Sequence, residues 1–153
     1  MAAGTVKWFD QGLLNLGKKL MDLSGDTLKL GIIDNAVTPV HTTADPCWGS
    51  GGSTNFSSHE VAHATAYTAP ISLASVTWTV VSNVPTLRAA NVTVARDAGG
   101  FTNGYYGIIY DDTTSNKNCV GFVDLGGPIS LVTGSLTIDW SGANGDILTL
   151  TQS

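Results

Sequence analysis

The sequence predicts a mainly β protein, an antiparallel β-sandwich or barrel with one N-terminal amphipathic helix. Three observations lead there: seven short segments alternate apolar and polar residues, Gly, Asn and Asp turns separate them, and only the start of the chain carries a helical repeat. Short strands joined by turns favour antiparallel pairing, because parallel neighbours need long crossover connections. At 153 residues the chain reads as a single domain able to bury a real core. Residues 1–24 form its helical part and residues 25–153 its β part.

From Val6 to Leu23, the residues Phe9, Leu13, Leu16, Leu20 and Leu23 fall on one helical face. Thr5 is placed to cap that helix and Ser24-Gly25 to stop it, while Gly12 and Gly17 each weaken its interior by about 1 kcal/mol relative to alanine. Lys18 and Lys19 sit near its C-terminal end, where the helix dipole favours cations. Thr27–Ile33 then reads as a strand, and residues 34–58, poor in periodic apolar residues and rich in Gly, Ser, Thr and Pro, as a long loop. Strand patterns follow at Ser75–Ser82, Ala90–Arg96, Tyr105–Tyr110, Cys119–Asp124, Ser135–Trp140 and Asp146–Thr151. Ala143-Asn144-Gly145-Asp146 is suited to a tight turn between the last two.

Charged residues make up 12% of the chain, against roughly 25% in an average soluble domain. The net charge of −5 and isoelectric point near 4.8 argue against nucleic acid as a partner, since phosphate recognition needs a basic footprint. No apolar run approaches the ~18 residues of a membrane span, and the N-terminus lacks the apolar core of a signal peptide, so no membrane is expected and synthesis is expected in a cytoplasm. Cys47 and Cys119 lie far apart with no CxxC spacing and read as free thiols.

One motif invites a catalytic reading. His59-Glu60-Val61-Ala62-His63 matches HExxH, which binds zinc when a helix brings both histidines to one face. Here Gly and Ser precede it, Pro70 follows soon after, and Glu60 is the only glutamate in the chain, so no downstream glutamate can complete the ligand set. The match reads as coincidence, and no metal, cofactor or enzymatic activity is expected. Gly4-Thr5-Val6-Lys7-Trp8-Phe9 looks like the opening of a cold-shock domain but lacks the aromatic stacking segment that should follow. Asp111-Asp112, with Asp124, Asp139 or Asp146, offers carboxylates at no standard ion-loop spacing, which fits turn residues better than a calcium site or a glycosidase pair.

A set of local segments carries a family resemblance. It comprises the opening helix, Asp26–Ile33, Glu60-Val61, Tyr67-Thr68-Ala69, Tyr106-Gly107-Ile108-Ile109-Tyr110-Asp111-Asp112-Thr113, Val120–Gly126, Leu136–Trp140 and Gly145–Leu150. In their order these segments resemble a family of small tailed-bacteriophage virion proteins. Pro70-Ile71 replaces the double glycine usual after the Tyr-Thr-Ala segment, and the loop Pro39–Asn55 is longer. The family tends to carry Glu-Val without flanking histidines, which is consistent with a coincidental HExxH match.

The resemblance implies a structural, non-enzymatic virion component, a capsid decoration or cement protein on the capsid exterior. Its partners would be the major capsid protein or neighbouring virion proteins, and it would form a homo-oligomer, a trimer or dimer. A neck, collar or tail-fibre position in the same virion is the alternative. A receptor- or glycan-binding module using Tyr105, Tyr106 and Tyr110 is another. Trp8, Phe9, Lys18, Lys19 and Trp48 are the expected partner contacts, the aromatics because they lie outside the strand pattern. The competing reading has Trp8 and the helix simply covering an open end of the barrel.

Overall fold

The structure is a computed structural model that describes residues 5–140 and 145–151. In chain order it contains β1 (Lys7–Trp8), α1 (Asp10–Gly17), β2 (Leu28–Ile33), β3 (Pro46–Cys47), β4 (Thr54–Asn55) and a 3-10 turn (Phe56–His59). Then follow β5 (Ile71–Ser72), β6 (Thr77–Val81), β7 (Val84–Arg88), β8 (Val92–Val94), β9 (Gly104–Asp111), β10 (Cys119–Ile129), β11 (Leu136–Ile138) and β12 (Asp146–Thr149). The expected class holds: the protein is mainly β, with antiparallel sheets and one helix near its N-terminus.

The largest sheet has the order β1-β10-β9-β2-β5, antiparallel throughout. A three-stranded sheet, β12-β7-β6, and a two-stranded one, β11-β8, are also antiparallel, and β3 and β4 form a short parallel pair. Among the described residues no sheet closes into a barrel, and the separate antiparallel sheets are compatible with the sandwich-like of the two predicted architectures. The candidate turn at Ala143-Asn144 lies outside the described residues.

Strand alternation explains how the large sheet is covered on both faces. Leu28, Leu30 and Ile32 of β2, Ile109 of β9, and Val123 and Leu125 of β10 join the main core. Leu87, Val92, Val94, Leu136, Ile138 and Leu148 of the smaller sheets meet them there, with Trp140. On the other face, Ile33, Ile108, Tyr110 and Phe122 form a second cluster with Phe9, Trp48 and Phe56. A bulge in β10 between Cys119 and Gly121 inserts Val120 as an extra residue, which lets Cys119 belong to the second cluster and Val120 to the first.

The N-terminal segment departs from expectation. The predicted helix Val6–Leu23 is only Asp10–Gly17, because Lys7 and Trp8 pair with Phe122 and Gly121 of β10. The helix ends in a Schellman closure: Lys19 N–H donates to Leu16 O at 3.1 Å and Leu20 N–H to Asn15 O at 2.9 Å, with Lys19 at φ 60°. Beyond it, Met21 and Leu23 are buried without helical backbone. Gly12 sits in the helix because a Cβ there would meet the Val120 carbonyl oxygen at 2.7 Å, so α1 can lie against the β10 backbone.

The predicted loop 34–58 also differs. It contains β3, β4 and the start of the 3-10 turn, and it carries Trp48 and Phe56 onto the second face of the large sheet. Strands β1, β5 and β7 are the other elements not anticipated.

Candidate interaction surface

The five expected contact residues separate into buried and exposed sets. Phe9 is completely buried, its ring 4.9 Å from that of Phe122 and 5.7 Å from that of Phe56. Trp48 is buried as well, stacked on Tyr110 with ring centroids 5.0 Å apart and planes within 4°. Neither side chain offers a partner the aromatic area that its place outside the strand pattern led us to expect. Both are core residues, recruited because the large sheet has a second apolar face that needs cover.

Trp8 is half-buried. Its ring meets Trp78 edge-on at 6.1 Å, and its indole N–H donates to Thr149 O at 3.0 Å, tying β1 to β12. Lys18 and Lys19 are exposed, and among the described residues neither forms an ion pair. Beside them stand Leu14 and Leu20, 47% and 54% exposed. An open groove of about 520 Å³ beside them is lined by Leu16, Leu20, Met21, Leu23 and Trp78 together with one cation, Lys19, and two carboxylates, Asp22 and Asp26. The helix end therefore combines exposed apolar area with the two cations Lys18 and Lys19 on one side and the carboxylates Asp22 and Asp26 within the groove.

The HExxH segment is not a helix. His59 ends the 3-10 turn, and Glu60 is extended, at φ −61° and ψ 138°, and bridges Ile33. Glu60 Oε1 accepts a hydrogen bond from Tyr67 O–H at 2.8 Å and lies 3.0 Å from His63 Nε2. The Tyr67 hydroxyl in turn accepts from Ile32 N–H at 3.0 Å. Burial and then the Glu60 carboxylate push the Tyr67 hydroxyl far above its ordinary pKa, so it remains a donor. Glu60 thus works as an anchor between β2 and the segment after the 3-10 turn. Among the described residues no cluster of three or more His, Cys, Asp or Glu side chains is placed to hold a metal ion.

The aspartates disperse in the same way. Asp112 pairs with Lys29 at 2.8 Å and Lys117 at 2.9 Å, Asp124 accepts from Gly126 N–H, Asp139 from Asn91, and Asp146 pairs with Arg88. Asp111 is fully buried, and its Oδ1 accepts from Thr113 N–H at 2.9 Å and Thr114 N–H at 3.3 Å. Its Oδ2 is buried with no donor facing it, and a hydrogen bond between the Asp111 and Asp26 carboxyls forms only when one of the two holds a proton. Burial, and then Asp26, push Asp111 up to about 7. The structure does not assemble Tyr105, Tyr106 and Tyr110 into one exposed platform. The half-buried Tyr105 and Tyr106 have ring centroids 6.4 Å apart, but Tyr110 is buried under Trp48 and cannot join them.

The helix-end surface was only partly legible in sequence. Lys18 and Lys19 are there, but Leu14 and Leu20 gave no signal, since the long-helix reading turned Leu20 inward. No helix among the described residues is long and apolar enough to cross a membrane. Comparison of the chain with protein-family models, curated proteins and solved structures finds no match.

Proposed function

We propose that this chain is a structural component of a tailed-phage virion, a decoration protein that binds the outer capsid surface and stabilises the head. The helix end supports this reading most directly: Leu14 and Leu20 stand exposed beside Lys18 and Lys19, which form no ion pair among the described residues. Apolar side chains with flanking cations suit docking onto an acidic, partly apolar capsomer surface. A cement protein adds buried area at capsomer junctions, and many copies multiply a modest gain per site. Of the segments that carry the family resemblance, Tyr106–Thr113 and Val120–Gly126 fall largely in the β9–β10 framework, while the opening helix is the one that leads to the proposed docking face.

Counting this chain against the major capsid protein in purified particles by quantitative mass spectrometry tests the reading. Hundreds of copies per particle are expected. A dozen or fewer would move the protein to the neck, collar or tail, and none would remove it from the virion. Residues 1–23 cannot be deleted to probe docking, because β1 and Phe9 belong to the sheet and the core. Leu20→Asp with Lys19→Glu is the better variant, and capsid occupancy is expected to fall while the β fold is retained.

A further inference from the structure

Among the described residues strand β6 lies at the edge of its sheet, paired on one side only, with β7. The connecting residues Ser82 and Asn83 have φ of 49° and 67°, as in a two-residue type I′ hairpin. In such a hairpin Val81 and Val84 exchange hydrogen bonds, and the bonded pairs then recur at Thr79–Thr86 and Thr77–Arg88. The backbone N–H and C=O groups of Trp78 and Val80 therefore point away from β7. Pro85, opposite Val80, fits that phase: it has no N–H to offer, and its carbonyl accepts from Leu150 N–H at 3.0 Å on the far side.

Natural sheet edges are blunted by charges, prolines or bulges. β6 has none of these, its pairing with β7 runs unbroken, and no charged or histidine residue occurs between His63 and Arg88. Val80 is 68% exposed, the largest value among the exposed large hydrophobics, while Trp78, two residues away on the same face, is half-buried. We infer that the β6 edge is a docking site for a second copy of this chain, paired antiparallel about a two-fold axis through Thr79.

That axis sets Trp78 of one protomer opposite Val80 of its partner, and the reverse. These are the residues whose backbone groups point outward, so each pair exchanges its hydrogen bonds while the exposed valine is covered by the partner's indole. Self-pairing is favoured over a foreign strand by two-fold self-complementarity. No charged residue lies on β6, so two such edges meet without local Coulomb cost, and one apolar pair satisfies both symmetry-related positions, while the net charge of −5 on each copy opposes association and makes it stronger at high salt. One short strand covers less than the roughly 800 Å² per partner of a stable interface, so the dimer forms at high protein concentration. The inference stands apart from the virion reading, because it concerns the free protein.

Cysteine capture and sedimentation test it together. At the two-fold the Thr79 residues form a non-hydrogen-bonded pair with Cα atoms about 4.5 Å apart, within reach of a disulfide. The native Cys47 and Cys119 are buried and do not compete. Under mild oxidation Thr79→Cys is expected to give covalent dimer at least about tenfold faster than the exposed loop control Thr102→Cys. Adding Val80→Glu should remove that advantage, and the average mass of the wild type, but not of Val80→Glu, should rise with concentration. Equal crosslinking rates for Thr79→Cys and Thr102→Cys would overturn the inference, as would a wild type that stays monomeric at every concentration. Far-UV circular dichroism confirms that each variant is folded before it is scored.

Discussion

Gly31→Ala places one methyl group where the Trp48 indole already lies. A Cβ on Gly31 falls well inside van der Waals contact of the Trp48 ring carbons Cη2, Cζ3 and Cζ2. The backbone of β2 is held in register with Ile108 of β9, so the indole has to give way. Overpacking of this kind costs about 1–3 kcal/mol, and sliding the indole off Tyr110 forfeits a further ~0.5–1.5 kcal/mol of aromatic pairing. The expected loss is about 2–4 kcal/mol, or a Tm lower by roughly 5–15 °C for a domain of this size. Trp48→Ala alone should cost about 3–5 kcal/mol through the cavity it opens. In the double variant the alanine methyl enters that cavity, so the combined loss should fall short of the sum by at least ~1 kcal/mol. Urea unfolding followed by far-UV circular dichroism measures all three. The packing account fails if Gly31→Ala costs less than ~0.5 kcal/mol, or if the two substitutions add within that margin.

Three further outcomes are expected. Asp111 holds a proton in the folded state up to a pKa of about 7, against 3.8 for an unperturbed aspartate. The stability it contributes is therefore full below about pH 4 and lost as pH rises through about 7. Asp111→Asn, which keeps the acceptor for Thr113 and Thr114 and can donate to Asp26, should flatten that decline and stabilise the protein at pH 8 by about 1 kcal/mol or more; an unchanged stability–pH slope would refute it. Tyr67→Phe strands the Ile32 N–H and removes the hydroxyl donor of Glu60, leaving it the His63 contact, so a loss of about 1–3 kcal/mol is expected by denaturant titration, and no loss would mean the Tyr67 link is idle. Lys19→Gly relieves the left-handed backbone at φ 60° and should raise stability by about 0.5–1 kcal/mol in thermal melts, while lowering capsid occupancy if the helix end docks as proposed.

Sequence patterns were reliable where the physics is local. Alternation of side chains along a strand is set by the backbone itself, so β2, β6, β8, β11 and β12 lie within the segments the period-2 pattern marked, and β9 exceeds its segment by one residue at each end. The β7 strand escaped notice because Ser82-Asn83 lacks the glycine that usually announces a type I′ turn, and Pro85 argued against a strand. Pro85 is tolerated because its missing N–H falls at a position where the ladder does not use one towards β6. The HExxH match, read as coincidence from its neighbours, illustrates a spacing without its backbone. Its spacing has meaning only on a helix, and the backbone there turns through a 3-10 segment into an extended bridge.

The sequence by itself determined the mainly β class, the order of the principal strands and the low charge, because each is a property of neighbouring residues or of composition. Tertiary structure alone decided that Lys7-Trp8 is a strand, that Phe9 and Trp48 are core, and that Leu14 and Leu20 face outward. A period identifies which face is apolar but not what covers it. That depends on contacts such as Trp8 with Gly121, or Trp48 with Gly31 and Tyr110, whose partners lie far away in the chain.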